Sequence, residues 1–451
     1  MAAGVRRGSV LAVWLAAVCA LGGAVVVALP VADAVDADPR VGGRTAPVEV
    51  AAPPTALLEP LPVADPVTAA ALKQRFAALP DPGGPWLAAV ADARTGEVLY
   101  EHGDGTSAPA SSMKVLSGLV ALDVLGPDTT FATTTGLSAD GTLVLTGGGD
   151  PLLTSTAVAD YPRPASLAEL ARRTAAALGE AGTGQVRLAY DSHRFGGPAW
   201  NPAWSDIFAW SVAPITALTV DHGRVDPPGA NRAENPARLA ARRFAAALAE
   251  EGIEVTEVVA APAGIASDEL ASVVSPPVST LVEQSLLTSD NDVAETLTWQ
   301  VALARGEPAT PRSAARVLAT ELKRLGLWND GMRVVDGNGI ASTNAVTPTA
   351  LAGAVRLGLT EDRLRAVVTG LPVAGLTGTL ENRFDAKAAR GGRGLVRAKT
   401  GTIRGVNTLT GYVVTADGQT LVFSFLVSGA GQTTARAWLD RAATTLATCG
   451  C

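Results

Sequence analysis

The sequence predicts an α+β protein: one antiparallel sheet, packed by helices and built from both ends of the chain, with a large insertion after its second helix. Three observations carry this reading. Strand-like runs stand early ("WLAAVADARTGEVLYEH", 86–102) and late ("LVRAKTGTIRG", then "NTLTGYVVTADGQTLVFSFLVSG"), rich in β-branched and aromatic residues and separated by turn residues. Apolar residues at helical spacing fill much of 278–358. Between them, residues 126–275 change texture: short β-like runs alternate with Ala-rich helical stretches, densely punctuated by Gly and Pro. At 451 residues, 47% apolar and 18% charged, the chain can bury more than one core.

Taken in order, Arg6 and Arg7 precede "SVLAVWLAAVCALGGAVVVAL" (9–29), with no charge before Asp33. A basic start followed by an apolar run is the pattern of an export signal, and the run is also about long enough to anchor in a bilayer. Residues 1–34 are therefore read as a signal peptide or anchor, which places the rest outside the cytoplasm, and the Pro- and Ala-rich stretch 35–66 as a linker. A helix is expected over 67–79, two strands around the "RTGE" turn in 86–102, and a helix over 111–125 on which Met113, Leu116 and Val120 keep helical spacing. After the insertion, the stretch 278–304 reads as helix broken near 288–291; helices follow at 312–326 and 347–358. A strand, a hairpin with an "ADGQ" turn and a closing helix end the chain. Residues 67–125 and 276–451 thus form one domain that carries the insertion. The terminal "CGC" would strain a disulfide between its own two cysteines and reads as a frayed end.

The net charge of −7 offers no basic face for nucleic acid. The three histidines are widely scattered and no Cys/His cluster has zinc spacing, so neither metal nor cofactor is expected.

The chemistry begins with lysine. Only five of the 36 basic residues are Lys, so charge here is normally carried by Arg. A lysine retained in such a composition suits a task Arg cannot do, since a buried Lys can lose its proton and act as a base. Ser111 and Lys114 are three apart at a predicted helix start, on one face, where free backbone N–H groups favour developing negative charge. A serine needs such a neighbour to become a nucleophile. Alone, the pair reads more readily as a Ser cap and a surface lysine, since Ser caps are common. "SDN" at 289–291 puts Ser289 and Asn291 on one side of a non-helical break, and alone it is a helix cap. "KTGT" at 399–402 lines a strand edge with Lys399, Thr400 and Thr402, and Gly401 permits close approach of another backbone. Alone it is a strand-end turn. SxxK, SDN and KTG in this order are far more specific than any one of them.

With these motifs the chain resembles the serine D-Ala-D-Ala carboxypeptidases of the penicillin-binding-protein-4 type, peptidase family S13, from about residue 67 to the end. "GGGDPLL" (147–153), "DGNGIASTNAVTP" (336–348), "LPVAGLTGTLENRF" (371–384) and "TLTGYV" (408–413) look like other segments of that family. Where the family has "DGSGLSR", this chain has Asn338 for Ser and Ser342 for Arg. The resemblance implies a DD-peptidase/β-lactamase-like catalytic domain, with the 178 residues from Ser111 to Ser289 accommodating inserted domains. It implies that Ser111 attacks the penultimate D-Ala carbonyl of a peptidoglycan stem peptide, and that Lys114, its pKa lowered by burial and by Lys399, takes the proton. Backbone N–H groups of Ser111 and Thr402 would hold the oxyanion. Ser289 would protonate the leaving D-Ala, Asn291 would hold the substrate amide, and Lys399, Thr400 and Thr402 would meet the carboxylate beside Gly401. The implied partners are stem peptides, with β-lactams as inhibitors, no nucleic acid, and a membrane only through the N-terminal anchor. Cleavage of peptide crosslinks is chemically close to this reaction. A β-lactamase would share the nucleophile, but no ExxLN segment lies between Ser289 and Lys399. A non-catalytic envelope binding protein would suit a broken motif, and none is broken.

Overall fold

A computed structural model describes residues 66–450. The expected signal or anchor (1–34) and linker (35–66) lie outside them, Pro66 excepted.

Both ends of the chain meet in one five-stranded antiparallel sheet. Strands β1 (Trp86–Asp92) and β2 (Val98–His102) come from the start. Much later in the chain, β8 (Arg397–Ile403), β9 (Val406–Val414) and β10 (Thr420–Ser428) complete the order β2-β1-β10-β9-β8. The join is β1 to β10, in a register that sets Ala89 opposite Ser424. β10 lies at the centre and is buried on both faces, which explains its near-continuous apolar sequence. Its side chains still alternate. Phe423, Phe425 and Val427 face a core with Phe76 of α1 (Ala69–Ala77) and Trp438 of the C-terminal helix Gln432–Ala447. Val422 and Leu426 face a second core of helices.

That second core is built on α2 (Met113–Leu125), a helix buried all round over Met113–Leu122. Around it the segment 276–370 folds as α5 (Val278–Leu287), α6 (Asn291–Ala304), α7 (Pro311–Arg324), α8 (Pro348–Thr360) and the short α9 (Ala366–Thr369). Between α2 and α5, residues 132–274 form a second sheet with its own core. It comprises β3 (Ala132–Leu137), β4 (Leu143–Gly147), β5 (Gln185–Asp191), β6 (Glu254–Ala260) and β7 (Asp268–Val274), in the order β6-β5-β4-β3-β7. Helices α3 (Leu167–Glu180) and α4 (Pro236–Glu250) cover it with Leu170, Leu178, Phe244 and Leu248. Strands β4, β5 and β6 are parallel, as the intervening helices allow. The segment from β5 to α4 is shared: Leu218 and Val220 stay with this sheet's core, and the rest leaves it. Phe195, Trp204, Val212 and Ile215 pack into the helical core, with Phe195 5.5 Å from Trp299 of α6 between ring centres.

The tail departs from expectation. The helix Gln432–Ala447, α10 in chain order, carries Thr448 and Cys449 into the β9–β10 turn, where the Cys449 carbonyl accepts the Ala416 N–H at 3.1 Å. Cys449 is fully buried and disulfide-bonded rather than frayed. Among the described residues, no helix is long and apolar enough to cross a membrane.

Phe423 stacks on Phe425 with ring centres 5.0 Å apart, inside the sheet–helix core. Phe423→Ala is expected to cost about 3–5 kcal/mol, read as a lower urea midpoint at unchanged slope. A loss under 1 kcal/mol would show that this core repacks around the cavity.

Candidate active site

The site begins with a strained turn. Ser111 lies not in the helix proper but in the 3₁₀ turn Ala110–Ser112 that leads into α2. Ala110 takes φ +47°, the left-handed region that a residue with a Cβ adopts at a cost. The surroundings over-determine it. The Thr408 hydroxyl on β9 donates to the Pro109 carbonyl at 2.9 Å and meets the Ser112 hydroxyl at 2.8 Å. Two glycines clear the space: a Cβ on Gly339 would collide with the Ala110 carbonyl, and one on Gly401 with the Thr408 hydroxyl and the Pro109 carbonyl. Gly401 thus allows the close approach its sequence context predicts.

Lys114, one turn on, is 1% exposed. Its ammonium has three donors and finds three acceptors: Ser111 Oγ at 3.0 Å, Asn291 Oδ1 at 2.7 Å and the Asn338 carbonyl at 2.6 Å. Burial pulls its pKa down to about 8, against the upward pull of Asp336, Asp290, Glu295 and Asp292. Burial, and then repulsion from Lys114, push Lys399 well below the usual lysine value.

The Asn338 carbonyl is presented by a loop that Asp336 ties down. Its carboxylate accepts the N–H groups of Gly339 and Ala341 at 2.8 Å each, Asn344 Nδ2 at 2.6 Å and Trp204 Nε1 at 2.9 Å. Glu295 of α6 accepts the Gly337 N–H at 2.9 Å, and burial, reinforced by Asp336, raises its pKa to about 8.

The SDN segment joins α5 to α6. Ser289 has φ +63°, Asp290 caps α6 by accepting the Val293 N–H at 3.0 Å, and Asn291 is already the first helical residue. The expected non-helical break is therefore shorter than the motif. Asn291 Nδ2 donates to the Ser211 carbonyl at 3.1 Å, and Asp292 Oδ1 accepts the Ala213 N–H at 2.8 Å, both from the strap after β5. His222 Nδ1 lies 3.3 Å from Asp290 Oδ2 and 3.9 Å from Asp292 Oδ2. These three are the metal-capable cluster among the described residues, and the Arg232 guanidinium stands 3.6 Å from Asp292 as its countercharge.

On the opposite side runs β8, an edge strand. Lys399 is fully buried and donates to the Thr400 carbonyl at 2.8 Å. The Ala398 N–H points off the sheet to the Pro372 carbonyl, so by alternation the Thr400 and Thr402 N–H groups also face the free edge. Ser111, Ser289, Asn291, Thr400 and Thr402 line one cleft of about 830 Å³. Lys114 and Lys399 lie behind its wall. The structure therefore brings the three motifs together. Sequence reasoning missed Asn338, Glu295, Asp336, His222 and Asp292; of these only the loop at 336–348 had a signal, as a family-like segment without an assigned task.

A serine hydroxyl held by a buried lysine at the mouth of such a cleft, with free N–H groups on a facing strand edge, is equipped for acyl transfer through a serine ester. The model of the D-Ala-D-Ala carboxypeptidase 3 (S13) family matches residues 68–234 and 227–448. Carboxypeptidase DacB of Mycolicibacterium smegmatis is 34% identical over 376 residues, 80% of either chain, and a carboxypeptidase of Mycobacterium tuberculosis is 32% identical over 428 residues, 91% of either chain. The fold is that of penicillin binding protein 4 from Haemophilus influenzae, with TM-score 0.68 at 20% identity over 84% of this chain and 98% of that one. The chain belongs to the S13 D-Ala-D-Ala carboxypeptidase family and is a serine-type hydrolase of that class.

Gly401→Ala forces the β8 edge away from the Pro109–Ala110 turn. A shift of about 1 Å there is expected to slow acylation of the protein about 100-fold, followed by intact mass against time with an acylating probe, while circular dichroism stays unchanged. An unchanged rate would show that the turn tolerates the displacement.

Proposed function

We propose that Ser111 is the nucleophile and Lys114 its base in a DD-carboxypeptidase that trims peptidoglycan stem peptides and is acylated by β-lactams. The carrying observation is the 3.0 Å Ser111–Lys114 hydrogen bond with Lys114 buried and its pKa near 8. Neutral Lys114 keeps two N–H groups and offers one lone pair. Ser111 then becomes the donor in that bond, and its proton passes to Nζ as Oγ attacks the penultimate D-Ala carbonyl. The N–H groups of Ser111 and Thr402 receive the oxyanion. Ser289 relays the proton to the leaving amine as the C–N bond breaks, and water then hydrolyses the ester. Asn291 has one N–H beyond its bond to Ser211, available for a substrate carbonyl. Thr400 and Thr402, with Lys399 buried behind them, face the substrate carboxylate. Residues 67–125 with 276–451 act as the catalytic domain, and 126–275 as an insertion that walls the cleft through Ser211 and His222. Arg6, Arg7 and the uncharged run 9–29 support export to the cell envelope.

Benzylpenicillin is expected to add its mass to the peptide holding Ser111, and Ser111→Ala to abolish the adduct. An adduct that survives in the alanine variant overturns the reading.

The pH profile has a defined sign. The base must be neutral, and Lys114 loses its proton as pH rises through about 8. Acylation should therefore climb about tenfold per pH unit below that value and level off above it. Lys114→Arg, which stays protonated, should lose at least about 100-fold at every pH. A rate that falls between pH 6 and 8 would exclude Lys114 as the base.

A further inference from the structure

The carboxylate end of the cleft contains a cation that the motifs do not include. Arg436, in the first turns of α10, lines the same cleft as Ser111, Thr400 and Thr402, and its Nη2 is 3.4 Å from Thr402 Oγ1. Its Nε is buried without a hydrogen-bond partner, and among the described residues no carboxylate pairs with it. The nearby acid is already engaged. Asp440, one turn further along α10, gives both its oxygens to Arg383, at 3.1 Å from Nε and 2.6 Å from Nη2. Arg383 in turn donates to the Arg436 carbonyl at 3.3 Å, and the charges of Arg383 and Asp440 both act on the Arg436 guanidinium. One positive charge at this end is therefore left without a partner.

Lys399 is poorly placed to supply that charge directly. It is fully buried, does not line the cleft, and donates to the Thr400 carbonyl. A second ammonium, Lys114, lies close enough to repel it. An arginine stays charged throughout the working pH range, and its planar fork matches a carboxylate.

We propose that Arg436 binds the free α-carboxylate of the substrate's terminal residue beside Thr402, and thereby makes the enzyme prefer a free chain end over an internal peptide bond. This rests on the DD-carboxypeptidase reading given above. The unpaired guanidinium costs stability in the free enzyme, because it is half-buried next to another cation; an incoming carboxylate relieves that repulsion. A neutral amide or a continuing peptide at the same position cannot.

The test compares two probes: a diacetylated Lys-D-Ala-D-Ala tripeptide as its free acid, and the same peptide as its C-terminal amide. Wild type should favour the acid. Arg436→Gln should lower kcat/KM for the acid about 10- to 100-fold, mainly through KM, and leave the amide within about threefold. Arg436→Lys should restore part of the preference, since it returns a charge without the fork. The acid-to-amide ratio is taken within each variant preparation, so a reduced folded fraction cancels, and Arg436→Met serves if the Gln variant fails to fold. Equal losses on both peptides, or an undiminished ratio, overturn this assignment while leaving the enzyme reading intact. A wild type that cuts neither peptide, and takes no penicillin on Ser111, overturns both.

Discussion

The site depends on keeping one lysine dry. Moving an ammonium out of water is expensive unless each of its protons finds an acceptor and opposite charge lies near. Lys114 meets the first condition with Ser111, Asn291 and Asn338, and the second chiefly with Asp336 and Asp290. The two opposing influences leave its pKa near 8, between a permanently charged group and a permanently neutral one. Each acceptor comes from a different part of the chain, so the lysine can be buried only when the helical core, the 336–341 loop and the SDN segment are all in place. Folding and the burial of Lys114 against Ser111 are in this sense one event.

The same coupling explains why the acidic groups lie deep rather than at the cleft surface. Asp336 is saturated by four donors and anchors the loop that offers the Asn338 carbonyl. Glu295 holds the next N–H of that loop. Asp290 and Asp292 flank Asn291, and both are drawn to the insertion side, towards His222, Ala213 and Arg232. The strap after β5 is thus more than a lid. Through Ser211 and Ala213 it fixes Asn291 and Asp292 from outside while Lys114 fixes Asn291 from inside.

Much of this architecture could be read before the fold was known. The shared sheet followed from strand-like runs at both ends of the chain, and the β10 segment showed its central place by its near-continuous apolar run. Ser111, Lys114, Ser289, Asn291 and the 399–402 strand were legible because three short motifs carry chemistry in a fixed order. What stayed hidden depends on backbone geometry and on contacts between distant residues. Nothing in "APASS" announces that Ala110 is left-handed, since the cause lies in Gly339 and Gly401, each more than two hundred residues away. Asn338 acts through its main chain, to which its side-chain identity gives no clue. Cys449 looked frayed because sequence cannot show that the β9–β10 turn receives it.

The charge layout of the cleft adds a last step. Its insertion side carries His222, Asp290 and Asp292 with Arg232, a set whose charges largely answer one another. Its α10 side carries Arg383 and Arg436 against the single Asp440, an excess of one cation. Ser111 lies between them. Under the roles proposed above, a ligand with one anionic end is oriented before it touches Ser111, its carboxylate drawn to β8 and α10 and its uncharged amide left towards Asn291. Electrostatic orientation of this kind works through the sum of fixed charges and weakens with salt. It needs a group that stays charged and faces the solvent-filled cleft, whereas proton transfer needs one that can be neutral and dry. The two demands cannot be met by one side chain, which gives a physical reason for buried lysines behind the wall and arginines along it.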